Sequence, residues 1–258
     1  MKGLVDELLE LSDPETDKKI IKSFELKDHL CPEIFDDKVM NKEIIDALLE
    51  ISDAFIEFTG IELFIHDVVL TGSLSNYNWS EYSDVDLHIL IDMDEMDGEG
   101  ESNPAIFNDI VKEFFDAKER VWNEKHDIKI KGYDVEIYVQ DTKQPHVSSG
   151  VYSILNNEWL VEPSIRKEDI DEKQILEKGE YFAKIIDSII DNTNSGKDES
   201  KTIKDLWPKI KKFRQSGLEK GGEYSYENLT FKLLRRNGYI KKLMDLKNTV
   251  IDKKLSLT

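Results

Sequence analysis

VVLTGSLSNYNWSEYSDVDLHILI, from Val68 to Ile91, is the stretch whose reading decides the fold. Val68, Val69 and Leu70 open it as an apolar, β-branched run of the kind that forms a strand. Thr71-Gly72-Ser73 breaks the run, and a polar segment rich in Asn, Ser and Tyr follows. From Asp84 to Ile91, polar and apolar residues alternate as in a half-buried strand. Side chains on a strand alternate faces, with a rise of about 3.3 Å per residue. Asp84 and Asp86 therefore share a face, their Cα atoms about 6–7 Å apart. Val85, Leu87, Ile89 and Ile91 take the other face, toward a core. Two carboxylates held side by side repel unless a cation sits between them. The stretch is read as two strands carrying an active site.

The chain has 258 residues, enough for one large or two modest domains with a real core. With 34% charged and 39% hydrophobic residues it has the balance of a soluble globular protein. No apolar run approaches the ~18 residues of a membrane span. The N-terminal MKGLVDELLELSDPE is too acidic for a signal peptide. A single cysteine, Cys31, excludes intrachain disulfides and cysteine-based zinc sites, and a reducing cytoplasm is expected. The net charge of −19 argues against a nucleic-acid coat, yet residues 197–258 hold 16 Lys and Arg against 8 Asp and Glu. An acidic body thus carries a basic tail. The tail either neutralises the body in the fold or supplies phosphate-binding charge beside an acidic metal site.

Outward from the opening stretch, residues 4–11 read as a short amphipathic helix. Ile44, Ile45, Leu48, Leu49, Phe55 and Ile56 mark a helix from Lys38 to about Phe58, ended by Gly60. Asp92 to Pro104 is a charged excursion whose acids are out of register for a calcium loop. A helix from Pro104 to Lys125 follows, capped by Ser102 or Asn103, with Ile106, Ile110, Phe114 and Val121 as its buried stripe. Ile128 and Ile130 start a strand, and Lys131-Gly132 is a bulge or turn. Beyond it Tyr133, Val135, Ile137 and Val139 face one way, and Asp134, Glu136, Tyr138 and Gln140 the other. Val151 to Pro163 reads as a hairpin turning at Asn156-Asn157. Helix then dominates: 170–190, a linker at 192–200, a basic helix at 201–215, a turn at 217–222, and a helix or helix pair at 224–250 broken near Asn237-Gly238.

Gly72-Ser73, a ten-residue spacer and Asp84-Val85-Asp86 together resemble the signature of the nucleotidyltransferase superfamily with the DNA-polymerase-β-type palm. The wider chain resembles nucleotidyltransferase-like proteins carried by bacteriophages. That resemblance is carried by LCPEIFDDKVMNKEIIDALLEISDAFIEF, the opening stretch, GYDVEIYVQD, HVSSGVYSILNNEWL and ENLTFKLLRRNGYIKKLMDLKN. It supplies no substrate. It implies a further acid on a later strand. Glu136 is the choice, flanked by Val135 and Ile137, with Asp134 as rival; Glu is less common than Asp there. Gly72 would let the backbone approach a phosphate. Ser73 and amides at a helix N-terminus would hold the β- and γ-phosphates. Asp84, Asp86 and Glu136 would hold two Mg²⁺ (or Mn²⁺) ions.

The fold expected is α/β (α+β): a small mixed sheet flanked by helices over residues 1–165, not a doubly wound sheet. A helical C-terminal domain over 166–258 is expected to form the far wall of the cleft. The activity expected is metal-dependent transfer of an NMP from an NTP to a hydroxyl or phosphate acceptor. The alternative is a catalytically silent binding or antitoxin-like regulatory module. The basic helices, with Lys209, Lys211, Lys212, Arg214, Arg235, Arg236, Lys241 and Lys242, suit a triphosphate or a nucleic-acid acceptor. A solvated helix face is their blander reading. His88, on the face of Asp84 and Asp86, is expected to be a hydrogen-bonded rim residue rather than a ligand. His66 and His146 lack a zinc-ligand partner. Asn76, Tyr77 and Trp79 either contact a nucleotide or anchor their loop. No Gly-x-Ser-x-Gly elbow or Gly-Lys-Ser/Thr phosphate loop occurs.

Overall fold

A computed structural model describes residues 14–96, 104–146, 148–165 and 170–256. The helix expected at 4–11 and the cap at Ser102 or Asn103 lie outside those residues. The chain divides into two compact units, Glu25–Arg166 and, from two stretches, Met1–Phe24 with Lys167–Thr258. No helix among the described residues is long and apolar enough to cross a membrane.

The Glu25–Arg166 unit is α/β. A small ribbon pairs β1 (Phe35–Asp36) with β2 (Val39–Met40), and α2 (Lys42–Thr59) follows. Gly60 ends that helix in the left-handed conformation, φ 74°, its N–H bonded to the Glu57 carbonyl at 3.1 Å. A Cβ makes such a backbone costly, which is why glycine sits there. The main sheet comprises β3 (Asp67–Thr71), β4 (Val85–Ile91), β5 (Lys129–Ile130), β6 (Tyr133–Asp141), β7 (Val151–Ser153) and β8 (Glu158–Val161). Its order is β5-β6-β4-β3-β7-β8. Only β4 and β6 pair in parallel. A parallel pair needs a crossover, and α3 (Pro104–Lys125) supplies it. Leu48, Phe55, Leu70, Leu87, Ile89, Phe115 and Ile137 are fully buried in the core on one face of the sheet. The expected turn at Lys131-Gly132 is a two-residue hairpin loop with both φ positive, 51° and 92°. Mirror-image turns of this kind match the twist of the strands they join.

The stripe of α3 is one residue round from the one expected. Val111, Phe115 and Trp122 are buried, whereas Ile106 and Ile110 are 60% and 62% exposed and Val121 is also exposed. Successive helix positions differ by about 100°, so hydrophobicity alone leaves two adjacent stripes in competition. Polar contacts of the helix go with the one adopted. Asn123 donates to the Ile137 carbonyl and accepts from the Ile137 N–H, both at 3.1 Å. Glu119, one turn earlier, accepts from the Val139 N–H. The pair stands in for a neighbouring strand along an edge that β5 covers only at its start, where Val135 N–H reaches the Ile128 carbonyl.

The other unit is helical: α1 (Pro14–Lys22), α4 (Glu172–Asn194), α5 (Ser200–Gly221), α6 (Tyr226–Arg236) and α7 (Tyr239–Leu255). α6 packs against each of the others. Phe182, Ile186, Ile203, Ile210, Leu234 and Leu243 form its core. The stretch expected as a linker, 192–200, is instead a tight connection inside this unit. There Asn192 donates to Glu199 and accepts from Lys197, both at 2.8 Å, so its polar composition serves to tie two helix ends. The turn expected at 217–222 is also narrower. α5 continues through Gly217, where an added Cβ would meet Glu227 Cβ and Ser225 Oγ at 2.6 Å. That glycine permits close packing rather than a bend.

Candidate active site

β4 and β6 bring the acids together. Their parallel register sets Asp86 directly beside Glu136, and Val85 beside Val135. Neighbouring strands lie about 4.8 Å apart, so the two carboxylates stand on adjacent strands of one face. Asp84, at the entry to β4, continues that face; all three are half-buried. Asp134 is placed differently. It lies opposite Lys129 in the β5–β6 hairpin, ion-paired to that lysine and 58% exposed.

Gly72 follows β3, whose Thr71 pairs with Asp86. Its φ is +77°, and a Cβ built on it would lie 1.8 Å from Asp86 Oδ2. The Asp86 carboxylate therefore rests on the bare Gly72 Cα, and no other residue type leaves that space. Around this contact sit serine hydroxyls. Ser73 Oγ donates to Ser83 Oγ at 2.8 Å. Gly72 N–H donates to Ser148 Oγ at 3.3 Å, and Ser75 Oγ reaches the Gly72 and Gly150 carbonyls at 3.0 and 2.8 Å. The polar segment after Gly72-Ser73 folds as successive turns over residues 72–78, so the amides beside Ser73 belong to turns and not to the helix N-terminus that the resemblance implied. Side-chain hydroxyls offer this segment partners that compete with a helix ladder.

Tyr138 lies two residues along β6 from Glu136, and its hydroxyl donates to Glu136 Oε2. Burial raises the pKa of that hydroxyl well above a free tyrosine, helped by this hydrogen bond and then by the charges of Glu136, Asp86 and Asp84. All three carboxylates thus act on one hydroxyl, which stays protonated at any physiological pH. The sequence pattern placed Tyr138 on this face but not in this role; only the i, i+2 spacing from Glu136 hinted at it. His88, two residues after Asp86 on β4, packs against Tyr138 with ring centroids 5.0 Å apart and planes tilted by 34°, and its Nδ1 donates to Gln140 Oε1 at 3.0 Å. Burial pushes its imidazole down to about 4 against the opposing effect of that hydrogen bond. It is a neutral, hydrogen-bonded rim residue.

The remaining candidates serve elsewhere. His66 pairs with Glu95 at 3.1 Å. Asn76 and Tyr77 are buried, and Asn76 donates to Ser149. Trp79 donates from Nε1 to the His29 carbonyl at 2.9 Å. These three side chains anchor their loop.

Among the described residues, no three His, Cys, Asp or Glu side chains form a ready-made metal cluster. Mg²⁺ characteristically takes one or two carboxylates plus substrate phosphates rather than an all-protein cage. The face offers hard carboxylate oxygens from Asp84, Asp86 and Glu136, the donors Mg²⁺ and Mn²⁺ prefer, so the residues fit such an ion.

A family model described as a nucleotidyltransferase domain matches residues 48–176, half of the chain, from within α2 across the whole main sheet to the start of α4. No curated protein matches, and no solved structure matches.

Proposed function

Since the chain belongs to the nucleotidyltransferase domain family, we propose that it moves a nucleoside monophosphate from an NTP onto a hydroxyl or phosphate acceptor, releasing pyrophosphate. One observation carries the reading to particular residues: the register that sets Glu136 beside Asp86, where Asp86 in turn rests on Gly72. Asp84, Asp86 and Glu136 are the residues that would hold Mg²⁺ or Mn²⁺, which would supply a more acidic attacking hydroxyl and charge neutralisation at the leaving pyrophosphate. Gly72 brings the chain close to the phosphates, and the Ser73 hydroxyl turns from Ser83 to donate to them. Glu136, steadied by Tyr138, is placed to take the acceptor's proton.

The test is incubation with each labelled NTP and Mg²⁺ or Mn²⁺, with RNA, DNA, protein and small-molecule acceptors, followed by mass spectrometry. Asp84→Asn and Asp86→Asn are expected to lower transfer by about a thousandfold or more, equivalent to several kcal/mol of lost transition-state stabilisation. Circular dichroism should be unchanged. Wild-type turnover in either variant would remove the metal-site reading. Tight NTP binding by the native protein with no transfer to any acceptor would leave a silent binding module.

A further inference from the structure

α5 carries seven Lys and Arg against two acids, in a chain whose net charge is −19. Over residues 201–212 stand five lysines, Lys201, Lys204, Lys209, Lys211 and Lys212, with Asp205 as the one acid among them. Successive residues of a helix turn by about 100°, so the five lysines fall within an arc of about 160°. All five are exposed, whereas Ile203, Leu206, Ile210 and Gly217 on the opposite side are buried. The apolar side of α5 is thus taken up by the core of the helical unit, and the side left to water is cationic.

Elsewhere among the described residues, surface lysines find carboxylates. On α4, Lys173 pairs with Glu177 and Lys184 with Glu180. None of the five α5 lysines has an ion pair or hydrogen bond among the described residues. The Lys211 amine lies 5.9 Å from the Trp207 ring centroid, a contact that cancels no charge. The acids at the two ends of α5 are engaged with other groups. Asp198 accepts from the Ser200 N–H at 3.0 Å, Glu199 from Asn192 at 2.8 Å and Glu219 from Gln215 at 3.0 Å. Lys201 with Lys204, and Lys209 with Lys212, stand at i, i+3, where like charges repel. A row of anions laid along the helix offsets that repulsion.

The chemistry of the face selects its partner. A helix that lies on a membrane needs a free apolar side to enter lipid, and that side of α5 is buried. Lysine presents a point charge, without the fork that grips one phosphate in two places. Five such charges spread over about 17 Å of helix suit a chain of phosphates. One strand of a nucleic acid sets a phosphate about every 3.4 Å along its axis. We propose that Lys201, Lys204, Lys209, Lys211 and Lys212 form a docking surface for a nucleic-acid backbone, held through its phosphates and without regard to sequence. The surface belongs to the helical unit alone and does not depend on the transfer reading of the acid face.

The experiment uses the full chain in EDTA, so that no divalent ion is held on the acid face. Fluorescein-labelled oligonucleotides, single-stranded and duplex, each in two unrelated sequences, are followed by polarisation across a salt series. The native protein is expected to bind at least one form, equally in both sequences, with log Kd rising linearly with log salt. The triple variant Lys204→Gln, Lys211→Gln, Lys212→Gln should weaken binding tenfold or more and lower the salt slope by about two to three. The double variant Lys173→Gln, Lys184→Gln removes paired lysines from the same unit and should bind nearly as the native protein does. Asp84→Asn should also bind as the native protein does, whatever becomes of transfer. If the triple variant fails to fold, Lys204→Gln decides by itself, through a salt slope lower by about one. Binding of one form only would identify that form as the partner. The proposal is overturned if neither form binds the native protein or if binding ignores salt. It is equally overturned if the lysine variants of α5 keep the native affinity and slope, or if the α4 variant loses as much as they do. Capture by phosphatidylserine vesicles with no binding of either form would make the face a membrane surface and overturn it too.

Discussion

Gly72 and Asp86 show how much rests on a missing Cβ. At φ +77° an L side chain is strained, and its Cβ would overlap the carboxylate of Asp86. Gly72→Ala is therefore expected to destabilise the α/β unit by about 1–3 kcal/mol and to displace Asp86. Urea unfolding measures the first effect, and the transfer assay the second, as a loss comparable to Asp86→Asn. An alanine variant with native stability and turnover would contradict this account. Strand alternation alone placed Asp84 and Asp86 on one face. Strand alternation did not say which later acid stands beside them, because Asp134 and Glu136 share a face of β6 and a slip of two residues in the β4–β6 register would set Asp134 against Asp86; only the family resemblance favoured Glu136.

At the scale of elements, α3 closes the sheet with its polar residues as well as its apolar ones. Asn123 satisfies both backbone groups of Ile137 on the open edge of β6. Asn123→Ala should cost about 1–3 kcal/mol by leaving them unpaired, read as a lower denaturant midpoint. Val121→Ala, on the exposed neighbouring stripe, should change it little. Equal losses at the two positions would mean that helix burial, not edge pairing, matters here. The existence and length of α3 were legible, since Pro104 starts it and apolar residues recur along it. Its rotation was not, because the deciding partners are main-chain groups of β6, remote in sequence.

At the scale of the whole molecule, two buried groups of the α/β unit titrate in opposite senses. Burial holds Glu119 up at about 7, mainly against the Val139 hydrogen bond, which lowers it. Its folded pKa lies above the unfolded one, so the folded state holds the extra proton. Its contribution is fully present below about 4.5 and is lost as pH rises through about 7. His88, held down at about 4, behaves the other way: its contribution is present above about 6.5 and is lost as pH falls through about 4. Between pH 4.5 and 6.5 the two slopes oppose, and the native protein should show a shallow stability profile there. Glu119→Gln keeps the acceptor for Val139 without the titration. It should be more stable than the native protein at pH 8 by on the order of 1–3 kcal/mol, with the difference shrinking toward pH 4.5. Chemical denaturation across pH measures this, and a constant difference would refute it.

Local pattern by itself determined the strands, the helix through Phe55 with its glycine stop, the acid pair on one strand face and the helical character of the C-terminal third. These follow from side-chain period and backbone preference, which a chain carries in its own order of residues. Tertiary structure decided that Glu136 rather than Asp134 stands beside Asp86, that α3 turns Glu119 and Asn123 to the sheet edge, and that Arg214 of α5 reaches Asn228 of α6. Each of these depends on strand register or helix rotation, where alternatives differ by about one or two residues and the winner is set by partners far away in the chain. Val68 to Ile91 therefore announces an acid-bearing strand pair, while the company its carboxylates keep is settled by the parallel neighbour that packs beside them.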